Sequence, residues 1–324
     1  MRATRQQWLA RACPDATGPV VAASSDASFR SYHRVATPRG PVILMDAPPA
    51  QEDSRPFVDV ANRLLECGVN APRVLAQDLD QGFLLLTDLG DTSYLDALDE
   101  ASADALYDDA IAALVAIQRD GRTEGLPPYD DALLRGEMAL FPDWLLERHL
   151  GLDLEPVRAE LEAAIDALAA AALEQPRVFV HRDYHSRNLM VTPTHNPGIL
   201  DFQDAVAGPV SYDLVSLLRD CYIAWPQVRV DAWIERYLER AADAGIETGD
   251  ADQFRRWFDL MGVQRHLKAS GIFARLWHRD GKRGYLADIP RTWRYISAQL
   301  DRHRELRPLA EVARRLDLDR VLDW

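Results

Sequence analysis

VFVHRDYHSRNLMVTPTHNPGILDFQD, residues 178–204, is the stretch whose reading decides the fold. Two short β-prone runs each deliver a carboxylate: one leads into His181-Arg182-Asp183, the other into Asp201-Phe202. Asn188 follows five residues after Asp183. Phosphoryl transfer needs a positioned acceptor, metal ions across the phosphates and charge neutralisation, with little covalent help. A carboxylate beside the acceptor hydroxyl can orient it and take its proton, and one Asn with one Asp suits Mg²⁺, which keeps waters and phosphate oxygens in its shell. The stretch matches the kinase pattern H-R-D-x-x-x-x-N followed by D-F-G, with Tyr184 after Asp183 and Gln203 in place of the glycine. Either half alone is weak, but jointly they predict a kinase with Asp183 as base and Asn188 and Asp201 as metal ligands.

Working downstream, only AVAGPV, residues 205–210, separates DFQD from the helix signal SYDLVSLLRDCYIAW. That leaves no room for a long activation loop, and no Ala-Pro-Glu follows, so a small-molecule kinase is favoured over a protein kinase. Upstream, residues 1–88 read as strand-rich: VVAASS, SYHRVAT and PVILMDA, then PRVLAQD and FLLLTDLG joined at Asp80-Gln81-Gly82. Residues 56–67 have helical spacing, with Phe57, Val60, Ala61, Leu64 and Leu65 on one face and Gly68 as the stop. Helices are expected at 92–99, 102–119, 130–150 and 155–174, and from Ser211 to the end. The N-terminus, MRATRQQWLARACPD, reads as a short amphipathic helix without a signal-peptide core. The predicted fold is α+β and bilobal, protein-kinase-like. A small antiparallel-sheet lobe spans 1–88, a connection lies near 87–91, and a mainly helical catalytic and substrate lobe spans 92–324, with an ATP cleft between the lobes.

The composition is ordinary for a soluble globular protein. Hydrophobic residues make up 48% and charged residues 27% of the 324. A net charge of −14 argues against general affinity for nucleic acid or anionic membrane. Cys13, Cys67 and Cys221 have no metal-ligand spacing and suit reduced cytosolic thiols. No apolar run approaches the roughly 18 residues of a membrane span. A cytoplasmic monomer without nucleic-acid or membrane partner is expected.

The motifs SDASFR, LMDAPP, TDLGD, HRDYHSRNLM and DFQDAVAGPVSYDLVSLLRDCY resemble the aminoglycoside phosphotransferase-like family over nearly the whole chain, and within it the anomeric amino-sugar kinases of bacterial cell-wall recycling. The resemblance implies ATP, Mg²⁺ and direct in-line transfer to the C1 hydroxyl of N-acetylmuramate or N-acetylglucosamine. It also implies a nucleotide hinge at Thr87, Asp88 and Leu89, and it puts Leu44 on the third strand beside the nucleotide. Asp213 falls where the family braces its catalytic loop, although a helix N-terminal residue reads equally well there. A kinase for another small alcohol (an aminoglycoside, choline or another sugar) and a non-catalytic ATP-binding module stay open as alternatives.

One element of the pattern is absent. Kinases place a lysine on the third strand to hold the α/β-phosphates. Here Met45 stands at that position, and the only lysines are Lys268 and Lys282. Arg30 and Arg34 in the preceding hairpin are the candidate substitutes, with Ser28, Phe29 and Arg30 covering the phosphates and Asp46 orienting Arg30. For the acceptor, the candidates are His185, Arg187, Asp204, Arg219 and Asp220. Arg187, Arg219 or Arg275 could meet the lactyl carboxylate of N-acetylmuramate. Trp144, Trp225 and Trp277 read as packing residues, and residues 264–285 as a solvated basic helix face plus a turn.

Overall fold

The computed structural model describes residues 4–25 and 29–323. In chain order the elements are α1 (Arg5–Ala12), β1 (Thr17–Ser25), β2 (Ser31–Ala36), β3 (Val42–Asp46), α2 (Arg55–Glu66), β4 (Val74–Asp78), β5 (Phe83–Thr87), α3 (Tyr94–Ala97) and α4 (Ala103–Asp120). There follow α5 (Asp131–Met138), a π-helical segment (Phe141–His149), α6 (Arg158–Leu173), β6 (Arg177–Val180), β7 (Leu189–Met190), β8 (Gly198–Ile199) and β9 (Val206–Pro209). The chain continues as α7 (Tyr212–Leu218), α8 (Gln227–Asp243), α9 (Ala251–Asp280), α10 (Ile289–Ser297), α11 (Arg307–Arg315) and α12 (Leu318–Val321). This is the expected kinase-like architecture, an N-terminal antiparallel sheet followed by a mainly helical part. Among the described residues, no helix is long and apolar enough to cross a membrane.

Packing divides the chain into two compact units, Met1–Arg122 with Arg187–Ala205, and Thr123–Ser186 with Val206–Trp324. In the first unit the strands run β1-β2-β3-β5-β4, all antiparallel neighbours. Side chains alternate across this sheet. Val35, Leu44, Phe83 and Leu85 form one core with Trp8, Leu9 and Cys13 of α1 and its end. Trp8 stacks on Phe83 with centroids 5.4 Å apart. The opposite face carries Tyr32, Arg34, Ile43 and Leu86. The amphipathic helix read at 56–67 is α2, which buries Phe57, Val60, Ala61 and Leu64. It stops at Gly68, whose φ of 76° continues no right-handed helix. The hairpin β7–β8 belongs to this unit: Asn70 bridges Gly198, and Phe57 packs on Phe202 at 4.8 Å.

In the second unit α9 is the central helix, contacted by α5, α6, α7, α10 and the π-helical segment. Three expectations are corrected here. AVAGPV is not only a connection: it forms β9, antiparallel to β6. The single helix expected over 130–150 divides into α5 and the π-helical segment, with Pro142 at the start of the second piece. Residues 264–276 are not a solvated face, and exposure returns only at Arg279 and Asp280. Gln264, Arg265, His266, Lys268 and Ser270 are all buried, and Lys268 meets Glu137, Arg265 meets Cys221 and His266 meets the Arg219 carbonyl there rather than water.

Candidate active site

The catalytic sequence is built on β6, which runs directly into His181. Asp213, in the first turn of α7, reaches back to that loop. Its Oδ2 accepts from the His181 amide at 2.6 Å and its Oδ1 from the Arg182 amide at 3.0 Å. Burial pushes the Asp213 carboxyl up to about 7, against the two N–H bonds that favour the charged form. Arg182 needs that brace, since its φ is 76°, a left-handed value uncommon for a long side chain. The Asp183 amide donates to His181 Nδ1 at 3.2 Å, which closes the turn.

Behind this loop lies a buried polar network that sequence reasoning missed. Glu137 of α5 pairs with Arg182 and, at 3.1 Å, with Lys268 of α9. Lys268 Nζ also donates to Tyr212 Oη at 3.1 Å, and the Tyr129 hydroxyl donates to Glu137. In the sequence, only Arg182, through its motif, and Lys268, as one of two lysines, stand out among these residues. Burial pushes the half-buried Asp183 carboxyl up. The charges of Lys268, His185, Arg265 and Arg182 outweigh that effect and hold it below its ordinary value. A carboxylate kept ionised is what an acceptor-orienting base requires.

Of the expected acceptor contacts in this unit, His185 is buried with its ring edge-on to Tyr222, centroids 5.3 Å apart. Tyr222 continues to Phe273 at 6.2 Å, and Phe273 stacks on Tyr285 at 5.7 Å, an aromatic row beginning at the catalytic loop. Arg219 and Asp220 are corrections, since both are committed to the interior. Arg219 is 2% exposed and pairs with Asp259 at 2.6 Å. Asp220 is 1% exposed and accepts from the Ser186 amide at 2.9 Å, the Ser186 hydroxyl at 2.5 Å and the Tyr222 amide at 2.9 Å. It holds the end of the catalytic loop rather than offering a free carboxylate. Trp144, Trp225 and Trp277 are engaged by Arg148, Arg229 and Arg283 respectively.

In the first unit a cavity of about 400 Å³ is lined by residues of β2, β3 and β5, by Thr87, Asp88 and Leu89, and by Arg187, Asn188 and Asp201. The two expected metal ligands converge in it, with Asn188 Nδ2 3.3 Å from Asp201 Oδ2. Gln203 Nε2 donates to Asp201 Oδ1 at 2.9 Å, so the residue that replaces the glycine orients the carboxylate. Asp201 has φ 60°, a conformation an Asp tolerates. One carboxylate and one carboxamide fit Mg²⁺, whose remaining positions go to water and phosphate.

Thr87, Asp88 and Leu89 line the cavity, and Arg187, expected at the acceptor, lines it with them. Arg34 binds Asp88 through Nε at 2.5 Å and Nη2 at 3.0 Å, and the Gly90 carbonyl at 2.9 Å, so its fork braces the hinge. Leu44 is a correction: strand alternation turns it into the α1 core, and its neighbour Ile43 lines the cavity instead. Arg30 is paired with Glu52 at 3.3 Å, whereas Asp46, expected to orient it, lies 3.7 Å from Arg5. Phe29 is exposed and its amide donates to Glu52 Oε1 at 3.3 Å. Asp204 is an exposed turn residue. Ser28 lies outside the described residues.

Residues 19–257 match the model of a family described as the phosphotransferase enzyme family. The chain belongs to that family. Membership implies ATP as the phosphoryl donor. This phosphotransferase is 52% identical over 295 residues to the N-acetylmuramate/N-acetylglucosamine kinase of Pseudomonas aeruginosa, covering 90% of this chain and 87% of the relative. It is 44% identical over 311 residues to the protein of the same name from Neisseria meningitidis, covering 94% and 92%. Among solved structures, choline kinase LicA from Streptococcus pneumoniae superposes with a TM-score of 0.63 over 90% of this chain and 97% of that one. At 11% identity that likeness is one of fold.

Proposed function

We propose that the protein transfers the γ-phosphoryl group of ATP to the anomeric C1 hydroxyl of N-acetylmuramate or N-acetylglucosamine, in the cytoplasm, as a step of cell-wall sugar recycling. The observation that carries this reading is an intact Asp183, Asn188 and Asp201 set in a chain 52% identical to a kinase named for those sugars. Asp183 orients the C1 hydroxyl and takes its proton as the oxygen attacks. That hydroxyl is more acidic than an ordinary alcohol, so one carboxylate suffices and transfer is direct, with no phospho-enzyme. Asn188 and Asp201 would hold Mg²⁺, which when bound spreads the charge of the phosphates. The backbone of Thr87–Leu89 holds the adenine. The row His185, Tyr222, Phe273 and Tyr285 offers the apolar face on which a pyranose ring rests.

For the lactyl carboxylate of N-acetylmuramate, Arg275 is the best placed of the three candidate arginines. Arg219 is neutralised by Asp259, and Arg187 lines the nucleotide cavity. Arg275 is half-buried on the face of α9 that carries Lys268, and its buried Nε has no partner among the described residues.

The test is a panel of N-acetylated sugars, choline and aminoglycosides with MgATP, followed by ³¹P spectroscopy, with Asp183→Asn as control. An acid-labile C1 phosphate from N-acetylmuramate or N-acetylglucosamine is expected, and Arg275→Ala should lose N-acetylmuramate preferentially. Turnover of choline or an aminoglycoside alone would replace this reading with another small-alcohol kinase. Nucleotide binding without any turnover would leave a regulatory module.

A further inference from the structure

A kinase cavity needs a cation at its phosphate end, and in this chain the usual source is missing. Met45 is fully buried on β3, opposite Tyr32 of β2 and Leu84 of β5. No lysine precedes Lys268 in the sequence. The cavity face of β2 presents Tyr32 and Arg34. Strand alternation extends that face one step beyond the start of β2, to Arg30. Arg34 stands at the hinge end, locked to Asp88 and Gly90. Arg30 stands four residues away, about 13 Å along an extended chain. That span is comparable to the distance from a nucleotide's base to its outer phosphates.

The surroundings of Arg30 indicate what it faces. Its side chain is only 9% exposed, and arginines are seldom buried unless they are paired. Glu52 meets it at 3.3 Å, and the same carboxylate accepts from the Phe29 amide at 3.3 Å, which ties the approach to β2 to the approach of α2. Arg30 also hydrogen-bonds Tyr32, and it lies within the field of Asp201, the carboxylate of the metal pair. Arg30 is therefore held between an acidic anchor, Glu52, and the place where the phosphates and their metal would lie.

We propose that Arg30, oriented by Glu52, is the phosphate-binding cation of this nucleotide cavity and fills the role of the absent lysine on β3. The Arg30–Glu52 pair thereby replaces the strand-lysine and helix-glutamate pair of other kinases, displaced by one strand and into the segment before α2. The ligand class is a nucleoside tri- or diphosphate. A guanidinium fork suits phosphate oxygens, and its reach compensates for starting from a neighbouring strand. The inference rests on the ATP reading and not on which sugar is phosphorylated.

The test is titration calorimetry with MgATP and, separately, with adenosine, in the absence of any sugar. Arg30→Ala should weaken MgATP roughly 10- to 100-fold, the range for a lost hydrogen bond to a charged group, with adenosine affinity unchanged. Arg30→Lys should recover part of that loss, and Glu52→Gln should weaken MgATP by a smaller factor. Unchanged MgATP affinity in Arg30→Ala, or an equal loss for adenosine, overturns the proposal. If Arg30→Ala loses its cooperative melt, Arg30→Gln decides by the same comparison. A sugar panel without turnover, together with an intact difference between MgATP and adenosine, would remove the proposed acceptor and leave Arg30 standing.

Discussion

At the scale of single residues, a charge on its own says little until its partner is known. Asp183, Asn188 and Asp201 stand out in the sequence because motif spacing and residue type constrain one another. Arg219 and Asp220 were misread as acceptor contacts because their partners, Asp259 and the Ser186 amide, are far away in sequence. Glu52 was missed for the same reason, and Leu44 was displaced by one residue because only the register shows which face of β3 meets the cavity. Lys268 leads the charges that hold Asp183 ionised. A base with a depressed pKa stays competent as pH falls and is lost only when it is protonated. Lys268→Met removes part of the opposing charge, so the acid limb of the kcat/KM profile should move to higher pH. Rates measured from pH 4 to 9 on parent and variant check this, and a limb that does not move would show that Lys268 acts through packing alone.

Whole elements were read well where periodicity is simple and poorly where burial is two-sided. The strands β2, β3 and β5 and the helix α2 followed their alternation. The helix α9 did not, because arginine, lysine and histidine on it suggest water while the fold supplies Glu137, Cys221 and the Arg219 carbonyl around them. Its close approach to the π-helical segment has a specific requirement. At Gly271 an added Cβ would overlap the carbonyl of Leu140. Backbone cannot yield as a side-chain end can, so Gly271→Ala is expected to destabilise the protein by about 1–3 kcal/mol. Urea unfolding monitored by circular dichroism measures it. By contrast Gly136, where a Cβ meets nothing within 4 Å, should tolerate alanine without loss.

For the molecule as a whole, fold class was legible from the order of sheet signals and helix signals. The grouping of residues by packing was not, because it depends on where Arg187–Ala205 returns. The proposed nucleotide contacts all belong to the first unit, and Asp183 with the aromatic row belongs to the second. Hydrogen exchange should therefore separate the ligands. MgADP should protect residues 83–91 and 187–201, and the acceptor sugar should protect 181–186 and 219–223. Identical protection maps would contradict that division of labour. The return of Arg187–Ala205 also bears on how the protein is made. After Arg122 leaves the ribosome the first unit still lacks the β7–β8 hairpin, with Phe202 absent from Phe57 and Gly198 from Asn70. About 80 further residues must be synthesised before these arrive, a delay of roughly 4–16 s at ordinary elongation rates. During that interval the nascent sheet waits with one side unfinished, which is when a chaperone would have most to hold.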